Sequence, residues 1–277
     1  MTDPVLTYYD ISPQVVAFST TRRGGCSVGN YGEFNVNYYC GDKPSHIAAN
    51  RLALCRLLQI SDDRLVYPHQ VHGTEVRRIG KDFLRLGDEE KAQLLEGVDA
   101  VMTDVRQLCI GVSTADCIPI LLYDEDHQAV CAIHAGWRGT VARIAMKAIE
   151  TMSRAYGTDA AHLKAIVGPG ISLDSFEVGD EVYEQFAAAG FTMEKIARRY
   201  PALAANHQPA ALNSGHAAQK WHIDLWACNR LQLEEAGISS ENIQVAGICT
   251  YQHSDEFFSA RRLGIDSGRI LTAILLM

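Results

Sequence analysis

The sequence predicts an α+β protein built on mixed β-sheets. Helix and strand patterns alternate along the 277 residues, the predicted strands outnumber the helices between them, and several strands follow one another directly. A pure βαβ winding would instead place a helix after nearly every strand. Apolar residues make up 47% of the chain and charged residues 21%, which is enough apolar surface to fill a core. No shift in composition divides the chain, so we expect one domain over residues 1–277.

The first half of the chain is predicted to consist mainly of strands. A strand at 15–21 ends in a turn that contains Gly24 and Gly25. Ser45 is a candidate N-cap for a helix that continues to about residue 60, with leucines near helical spacing. Further apolar or alternating segments predict strands at 65–79 with a break at Gly73, at 97–105, at 108–123 and at 129–134.

The second half contains the clearest helix pattern of the chain. This helix is predicted at Thr140–Tyr156, after a turn at 136–139, and Gly157 ends it in the C′ position. The segment 198–216 is rich in Ala, Asn, Pro and Gly and is expected to be a long loop. Further helices are predicted at 180–189 and 224–236, and further strands at 164–167, 243–250 and 270–276.

Charge and hydropathy exclude several classes of function. The chain has 25 Lys and Arg against 33 Asp and Glu, a net charge of −8, which argues against a broad surface for nucleic acid or anionic lipid. No apolar run reaches the ~18 residues of a membrane span, and residues 1–10 lack the pattern of a signal peptide. The eight cysteines are scattered without a CxxC pair. We therefore expect reduced thiols and a cytoplasmic location.

Three short segments place metal-binding or nucleophilic side chains at the ends of predicted strands. They are His69–Gly73, Ala115–Pro119 and His134–Gly139. Each lies beside a Gly or Pro, and tight turns at strand ends commonly present functional side chains. Because side chains alternate between the two faces of a strand, His69 and His72 are expected to point apart. Gly73 places His72 at the turn, so His72 is the candidate.

His72, Cys117 and His134 together form a candidate catalytic metal site. Two imidazoles and one thiolate leave a fourth position open, as in catalytic zinc sites, whereas a structural zinc needs a fourth protein ligand. Two alternatives use the same residues. A blue-copper site also takes two His and one Cys, and Cys117 with His134 would suit a thiol hydrolase. A multicopper phenol oxidase needs more imidazoles in close pairs, and the ten histidines include no His-x-His.

The chain resembles the YfiH family, whose members carry names such as laccase-domain protein, multicopper polyphenol oxidase and purine nucleoside phosphorylase. The resemblance covers nearly the whole chain in order. The segments that carry it are Thr20–Gly25, Val71–Gly73, Ala115–Cys117, His134–Gly139, Gly168–Ile171 and Phe257–Ser259. It implies a sandwich-like core of mixed sheets with flanking helices.

The resemblance also implies an activity, a metal and a set of partners. It implies a zinc held by His72, Cys117 and His134, which would also be the catalytic residues, and action on adenosine, inosine and methylthioadenosine. We expect a purine nucleoside phosphorylase with adenosine deaminase activity, in which purine nucleosides and phosphate are the partners. Copper in place of zinc, with polyphenol oxidase activity, is one alternative, and a Cys–His hydrolase is another. We expect a monomer or a small homo-oligomer that binds neither nucleic acid nor membranes.

Phosphorolysis also requires a site for the phosphate anion. Backbone N–H groups of Gly-rich turns and arginine side chains bind phosphate. The resemblance places a phosphate contact near Ser27, and Asn35 is a candidate for a ribose hydroxyl. Arg230 matches a basic residue of the family and is the candidate arginine. The arginines that compete for this role are Arg22, Arg138 and Arg261.

Overall fold

The computed structural model describes residues 3–202 and 219–277. In these residues the strands are β1 (Leu6–Tyr9), β2 (Val15–Thr20), β3 (Leu65–Val66), β4 (Val76–Arg78), β5 (Ala100–Thr103), β6 (Cys109–Thr114), β7 (Ile118–Asp124), β8 (Ala129–Ala135), β9 (Lys164–Val167), β10 (Glu177–Val178), β11 (Ala197–Pro201), β12 (Gln219–Ile223), β13 (Ile243–Val245) and β14 (Ile270–Leu276). The helices are α1 (Pro44–Leu58), α2 (Asp88–Leu95), α3 (Trp137–Val141), α4 (Ile144–Tyr156), α5 (Asp180–Ala188), α6 (Met193–Ile196), α7 (Leu225–Glu235) and α8 (Ala260–Leu263). None of these helices has the length and apolar character needed to cross a membrane.

The strands form two large mixed sheets and one small sheet. The first sheet has the order β1-β2-β14-β6-β3, and the second has the order β13-β9-β7-β8-β5-β4. Most neighbours are antiparallel, but β3 pairs with β6, β13 with β9 and β4 with β5 in parallel. A third sheet, β10-β12-β11, is antiparallel. The mixture of parallel and antiparallel pairs confirms the predicted fold class.

The two large sheets pack face to face around a shared apolar core. Ala17, Ile110 and Ile274 of the first sheet lie in one buried cluster with Leu121 and Ala132 of the second. Burying one leucine or isoleucine side chain stabilises a fold by roughly 1.5–3 kcal/mol. The sheets therefore form the expected sandwich.

Helices cover both outer faces of this sandwich. Leu54 of α1 packs with Phe18 on the first sheet. On the second sheet, Met152 of α4 and Leu233 of α7 belong to the same buried cluster as Ile133. This arrangement confirms the flanking helices that the family resemblance implied.

Several predicted boundaries are wrong. The helix predicted at 140–156 is two helices, because Arg143 adopts a left-handed φ of 62° between α3 and α4. Tertiary contacts hold Arg143 there, since its guanidinium bonds to Glu235 and lies 3.9 Å from the Phe191 ring. The predicted turn at 136–139 contains the start of α3. The predicted loop at 198–216 begins inside strand β11, and its residues 203–216 lie outside the described residues.

Two connections between the large sheets determine where the site lies. The chain leaves the first sheet after β3 and enters the second at β4, and it makes the same passage from β6 to β7. His72 lies on the first connection and Cys117 on the second. His134 lies in β8, paired with Pro119 of the neighbouring β7. All three candidate ligands therefore reach the same end of the sandwich.

Candidate metal centre

The structure brings His72, Cys117 and His134 together. One ligand atom from each of these side chains lies within 4.8 Å of the other two. The two imidazole rings meet edge to face, with their centroids 4.9 Å apart. His134 is buried, Cys117 is half-buried and His72 is exposed. The cluster is therefore open to solvent on the side of His72, as a site that admits a substrate must be.

Two unusual backbone conformations point the first two side chains at the cluster. His72 has a φ of 62° and Asp116, the residue before Cys117, has a φ of 87°. The Asp116 carboxylate stabilises its turn by accepting hydrogen bonds from the Thr250 hydroxyl at 2.7 Å and the Arg261 amide at 2.6 Å. Because the chain turns at these residues, their side chains do not alternate between two faces as they would along a strand.

A buried carboxylate, Asp99, holds both histidines in place. The backbone amides of Val71, His72 and Gly73 donate hydrogen bonds to it at 3.2, 2.9 and 2.8 Å. The Nδ1 atom of His134 lies 2.7 Å from the same carboxylate. Because Nδ1 is committed to Asp99, the Nε2 atom of His134 is the one available to the cluster. Burial raises the pKa of Asp99, but the hydrogen bonds from His134 and the turn amides outweigh burial and lower it.

The electrostatics of the cluster favour a thiolate. Burial raises the pKa of Cys117, but His134 and His72 beside the sulfur outweigh that effect and lower it below the usual value. The pKa of His134 is raised because Cys117 and Asp99 outweigh the effect of burial. Cys131 lies in the same strand as His134 without such neighbours, and burial alone raises its pKa. Only a deprotonated sulfur binds a metal strongly.

The space around the cluster and the chemistry of its donors fit a zinc ion. A Cβ atom added at Gly136 would lie 2.8 Å from Cδ2 of His72 and 3.1 Å from Sγ of Cys117. Glycine at this position therefore keeps the space between the ligands open. Two imidazole nitrogens and one thiolate sulfur are donors that zinc prefers, and a carboxylate behind a ligating histidine is typical of zinc sites.

The cluster forms one wall of a cavity of about 210 Å³. Among the residues that line the cavity besides the cluster are Asn37, Tyr39, Cys40, His69, Gln70 and Arg269. No aspartate or glutamate among the described residues lines it. The imidazoles and the Arg269 guanidinium therefore make the cavity suitable for an anion.

Arg269 has hydrogen-bond donors to spare. Its Nη1 atom donates to the carbonyl oxygens of Ser267 and Gly268, and its Nη2 atom donates to that of Ile265. The Nε–H and one Nη2–H have no partner among the described residues, which also hold no carboxylate in ion-pair contact with Arg269. Two such donors on one guanidinium suit the oxygens of a phosphate.

Ser27 and Asn35 belong to a hydrogen-bond network next to the cavity. The Ser27 hydroxyl donates to the buried Asp42 carboxylate at 2.6 Å, and the Asn35 amide donates to the same carboxylate at 3.1 Å. The Asn35 carbonyl accepts from the backbone amides of Asn37 and Arg269. Neither Ser27 nor Asn35 is among the residues that line the cavity. Asn35 is bonded to three residues that do, namely Asn37, Cys40 and Arg269, whereas Ser27 is bonded to the same carboxylate as Asn35.

The arginines considered from the sequence lie elsewhere. Arg230 is exposed on α7 and pairs with Glu234 at 3.0 Å. Arg22 donates to the carbonyl oxygens of Gly32 and Ser254, and Arg138 lies over the Trp137 ring. Arg261 donates to the carbonyl oxygen of Glu177 and borders a neighbouring cavity. None of the four lines the cavity beside the cluster.

Sequence reasoning did not identify Asp99 or Arg269 as residues of the site. Asp99 immediately precedes strand β5, where a polar side chain is commonplace, and its partners lie far away in sequence. Arg269 follows Gly268, whose added Cβ would lie 2.4 Å from the Phe258 ring. That close contact is visible only in three dimensions.

The chain is similar to known proteins along almost its whole length. Residues 16–277 match the family described as multi-copper polyphenol oxidoreductase laccase. A protein of Bacteroides thetaiotaomicron named purine nucleoside phosphorylase is 44% identical over 259 residues, which are 94% of this chain and 90% of that protein. A protein of an unknown prokaryotic organism named adenosine deaminase RL5 is 42% identical over 260 residues, 94% of this chain and 93% of that protein.

The fold is similar to a solved structure as well. The crystal structure of the Bacillus licheniformis protein YfiH superposes with a TM-score of 0.81 at 26% sequence identity. The superposition covers 95% of this chain and 93% of that one.

Proposed function

The chain belongs to the YfiH family of laccase-like proteins, and from that premise we propose that it is a zinc-dependent purine nucleoside phosphorylase. In this proposal it cleaves adenosine, inosine and methylthioadenosine with phosphate and also deaminates adenosine. The relatives named above support a nucleoside-processing enzyme, because one is named for phosphorolysis and the other for deamination. The proposed location is the cytoplasm, which the eight free thiols of the chain support.

The observation that carries the proposal is the set of residues that line one cavity. His72, Cys117 and His134 line one part of it, Arg269 lines another, and no described carboxylate lies between them. A phosphorylase must hold a dianionic phosphate beside the anomeric carbon of a nucleoside. A cavity that combines imidazoles with an unpaired guanidinium meets that requirement.

Arg269 is the proposed phosphate-binding residue. Its free Nε–H and Nη2–H would hold two phosphate oxygens, while its other donors fix the guanidinium on the 265–268 turn. Asn35 contributes by keeping the wall of Asn37 and Cys40 in place, and Ser27 contributes by holding Asp42, to which Asn35 is bonded. A direct contact of Ser27, Asn35 or Arg230 with substrate stays a prediction.

His72, Cys117 and His134 are the proposed zinc ligands. Asp99 would hold the His134 ring and the 71–73 turn in the positions from which the ligands reach the ion. A zinc ion with an open fourth position lowers the pKa of water and polarises nearby groups, which is the chemistry that hydrolytic deamination requires.

Copper-dependent oxidation of phenols is a weaker proposal for this chain. A multicopper oxidase needs additional imidazole sites beyond a single His–Cys–His set. In residues 3–202 and 219–277, His72, Cys117 and His134 form the one cluster of three potential metal ligands. The geometry therefore supports a single ion.

Incubation of the purified protein with adenosine, with and without phosphate, tests the proposal. We expect ribose 1-phosphate with adenine and hypoxanthine only when phosphate is present, and inosine to accumulate when phosphate is absent. Absence of all these products would contradict the proposal and direct attention to phenol oxidation or to a Cys117–His134 thiol hydrolase.

A further inference from the structure

His69 lies in the wall of the cavity that contains the metal cluster. Strand alternation predicts that it points away from His72, but the segment between β3 and β4 crosses from one sheet to the other instead of continuing as a strand. His69 pairs there with Glu96 in an isolated bridge. Its side chain lines the same cavity as Cys117 and Arg269.

The His69 ring is held firmly although it is 38% exposed. Its Nδ1 atom lies 2.9 and 2.8 Å from the two carboxylate oxygens of Glu96. The ring stacks on Tyr39 with centroids 4.2 Å apart and an angle of 19° between the planes. Its backbone is bonded at both ends, to Leu95 and to Gly97. Three independent constraints on a surface histidine indicate a role that depends on its orientation.

The free edge of this ring carries Nε2. With Nδ1–H donated to Glu96, Nε2 is the nitrogen that remains for a ligand, and it has no hydrogen-bond partner among the described residues. The other imidazoles of the cavity, His72 and His134, are the proposed zinc ligands. His69 is thus the imidazole of the cavity that is free to exchange a proton with a substrate.

We propose that His69 is the general acid that protonates the purine as it leaves, with Glu96 as its positioning partner. This inference rests on the proposed phosphorylase function. A phosphate oxygen forms the bond to C1′ of the ribose while the C1′–N9 bond breaks and its electron pair moves onto the purine. The Nε2 proton of the His69 imidazolium passes to N7 of the base. The proton that the phosphate loses returns to His69 through solvent, so the products are ribose 1-phosphate and the neutral purine.

Substrates that differ in their need for a proton provide the test. Inosine requires protonation of its base, whereas 7-methylinosine already carries a positive charge on the purine and releases a neutral base without a proton. A general acid typically contributes a factor of 10²–10⁴ to the rate. We expect His69→Gln to lower kcat/KM for inosine by about that factor and to leave most of the activity on 7-methylinosine.

Two further variants separate proton transfer from stacking and from surface charge. His69→Phe retains a ring that can stack on Tyr39 but has no proton to give, so we expect the same selective loss as with His69→Gln. His162 forms a similar pair with Asp126, at 2.7 Å, on an exposed surface away from the cavity. We expect His162→Gln to match the wild type on both substrates.

The outcomes distinguish this inference from the proposed function. A wild-type protein that releases no base in the presence of phosphate contradicts both. If the wild type is active, equal losses on the two nucleosides in His69→Gln would show a binding role and overturn the assignment. Full inosine activity in His69→Gln or His69→Phe would overturn it as well.

Discussion

Two parts of the cavity are each organised around a buried carboxylate, yet they serve different purposes. Asp99 gathers the amides of the 71–73 turn and Nδ1 of His134. Asp42 gathers the Ser27 hydroxyl and the Asn35 amide. His134 has a second nitrogen that reaches the cavity, whereas Ser27 and Asn35 direct their polar atoms into the wall. The same type of hydrogen-bonded carboxylate therefore orients a candidate metal ligand in one place and stabilises a loop in the other.

Mutations in the two regions should therefore have different consequences. A hydrogen bond to a charged group contributes about 1.5–3 kcal/mol in either region. Around Asp99 a loss of that size would change the direction of a proposed metal ligand, His134. Around Asp42 it changes the stability of the segment that presents Asn37 and Cys40. Chemistry and stability should therefore separate experimentally.

The largest effect is expected on removal of a proposed ligand. Wild-type protein should contain about one zinc ion per chain, and Cys117→Ala or His134→Ala should lose that ion and adenosine deamination with it. Cys131→Ala is the matched control, because Cys131 is a buried cysteine of β8 outside the cluster. Elemental analysis with deaminase assays measures both. Unchanged zinc in Cys117→Ala would remove Cys117 from the site, and copper in the wild type would favour the oxidase.

The next effect concerns Arg269, the proposed phosphate-binding residue. Loss of a charge-assisted contact of ~1.5–3 kcal/mol lowers a rate by a factor of roughly 10–150. We expect Arg269→Ala to lower the rate of phosphorolysis by that factor and to leave the rate of adenosine deamination closer to that of the wild type. Steady-state rates of both reactions are the measurement.

Arg230→Ala is the comparison for that experiment. The sequence predicted Arg230 as the phosphate ligand, and the structure places it in an exposed pair with Glu234. A loss of phosphorolysis in Arg230→Ala, with none in Arg269→Ala, would favour the prediction from the sequence.

A third experiment compares the two carboxylates directly. Substituting a residue that orients a metal-ligating histidine typically lowers metal affinity by 10–100-fold, so Asp99→Asn should do so. Asp42→Asn should keep its metal and instead unfold at a temperature lower by a few degrees, since ~1 kcal/mol corresponds to about 2–4 °C in a chain of this size. Zinc titration and thermal unfolding of both variants test the contrast. If Asp99→Asn and Asp42→Asn bind zinc equally well, Asp99 contributes only to stability, as Asp42 does.

The cluster of candidate metal ligands was predictable from the sequence because the signals of its members are local. His72, Cys117 and His134 are uncommon residue types, and each lies at the end of an apolar strand beside Gly or Pro. The mixed sheets were predictable for a similar reason, since β-rich segments follow one another without helices between them.

Other features depend on contacts between distant parts of the chain. Arg143 breaks a helix of good local pattern through its contacts with Phe191 and Glu235. His69 faces the cavity because the chain changes sheets there, which invalidates the alternation rule. Arg269 resembles any arginine at the start of a strand, and only the fold shows that it lines the cavity.

The smallest predicted effect compares thiols inside and outside the cluster. In metal-free protein the pKa of Cys117 is lowered, because the two histidines outweigh the effect of burial. The pKa values of the half-buried Cys26 and Cys40 are raised, mainly by burial. Thiolates are the reactive form, so Cys117 should keep its reactivity toward iodoacetamide at lower pH than the other two and exceed them by on the order of tenfold near neutrality. Mass spectrometry of labelled peptides across a pH series measures this order, and added zinc should protect Cys117 selectively. Faster labelling of Cys26 or Cys40 would show that the imidazoles do not stabilise the thiolate.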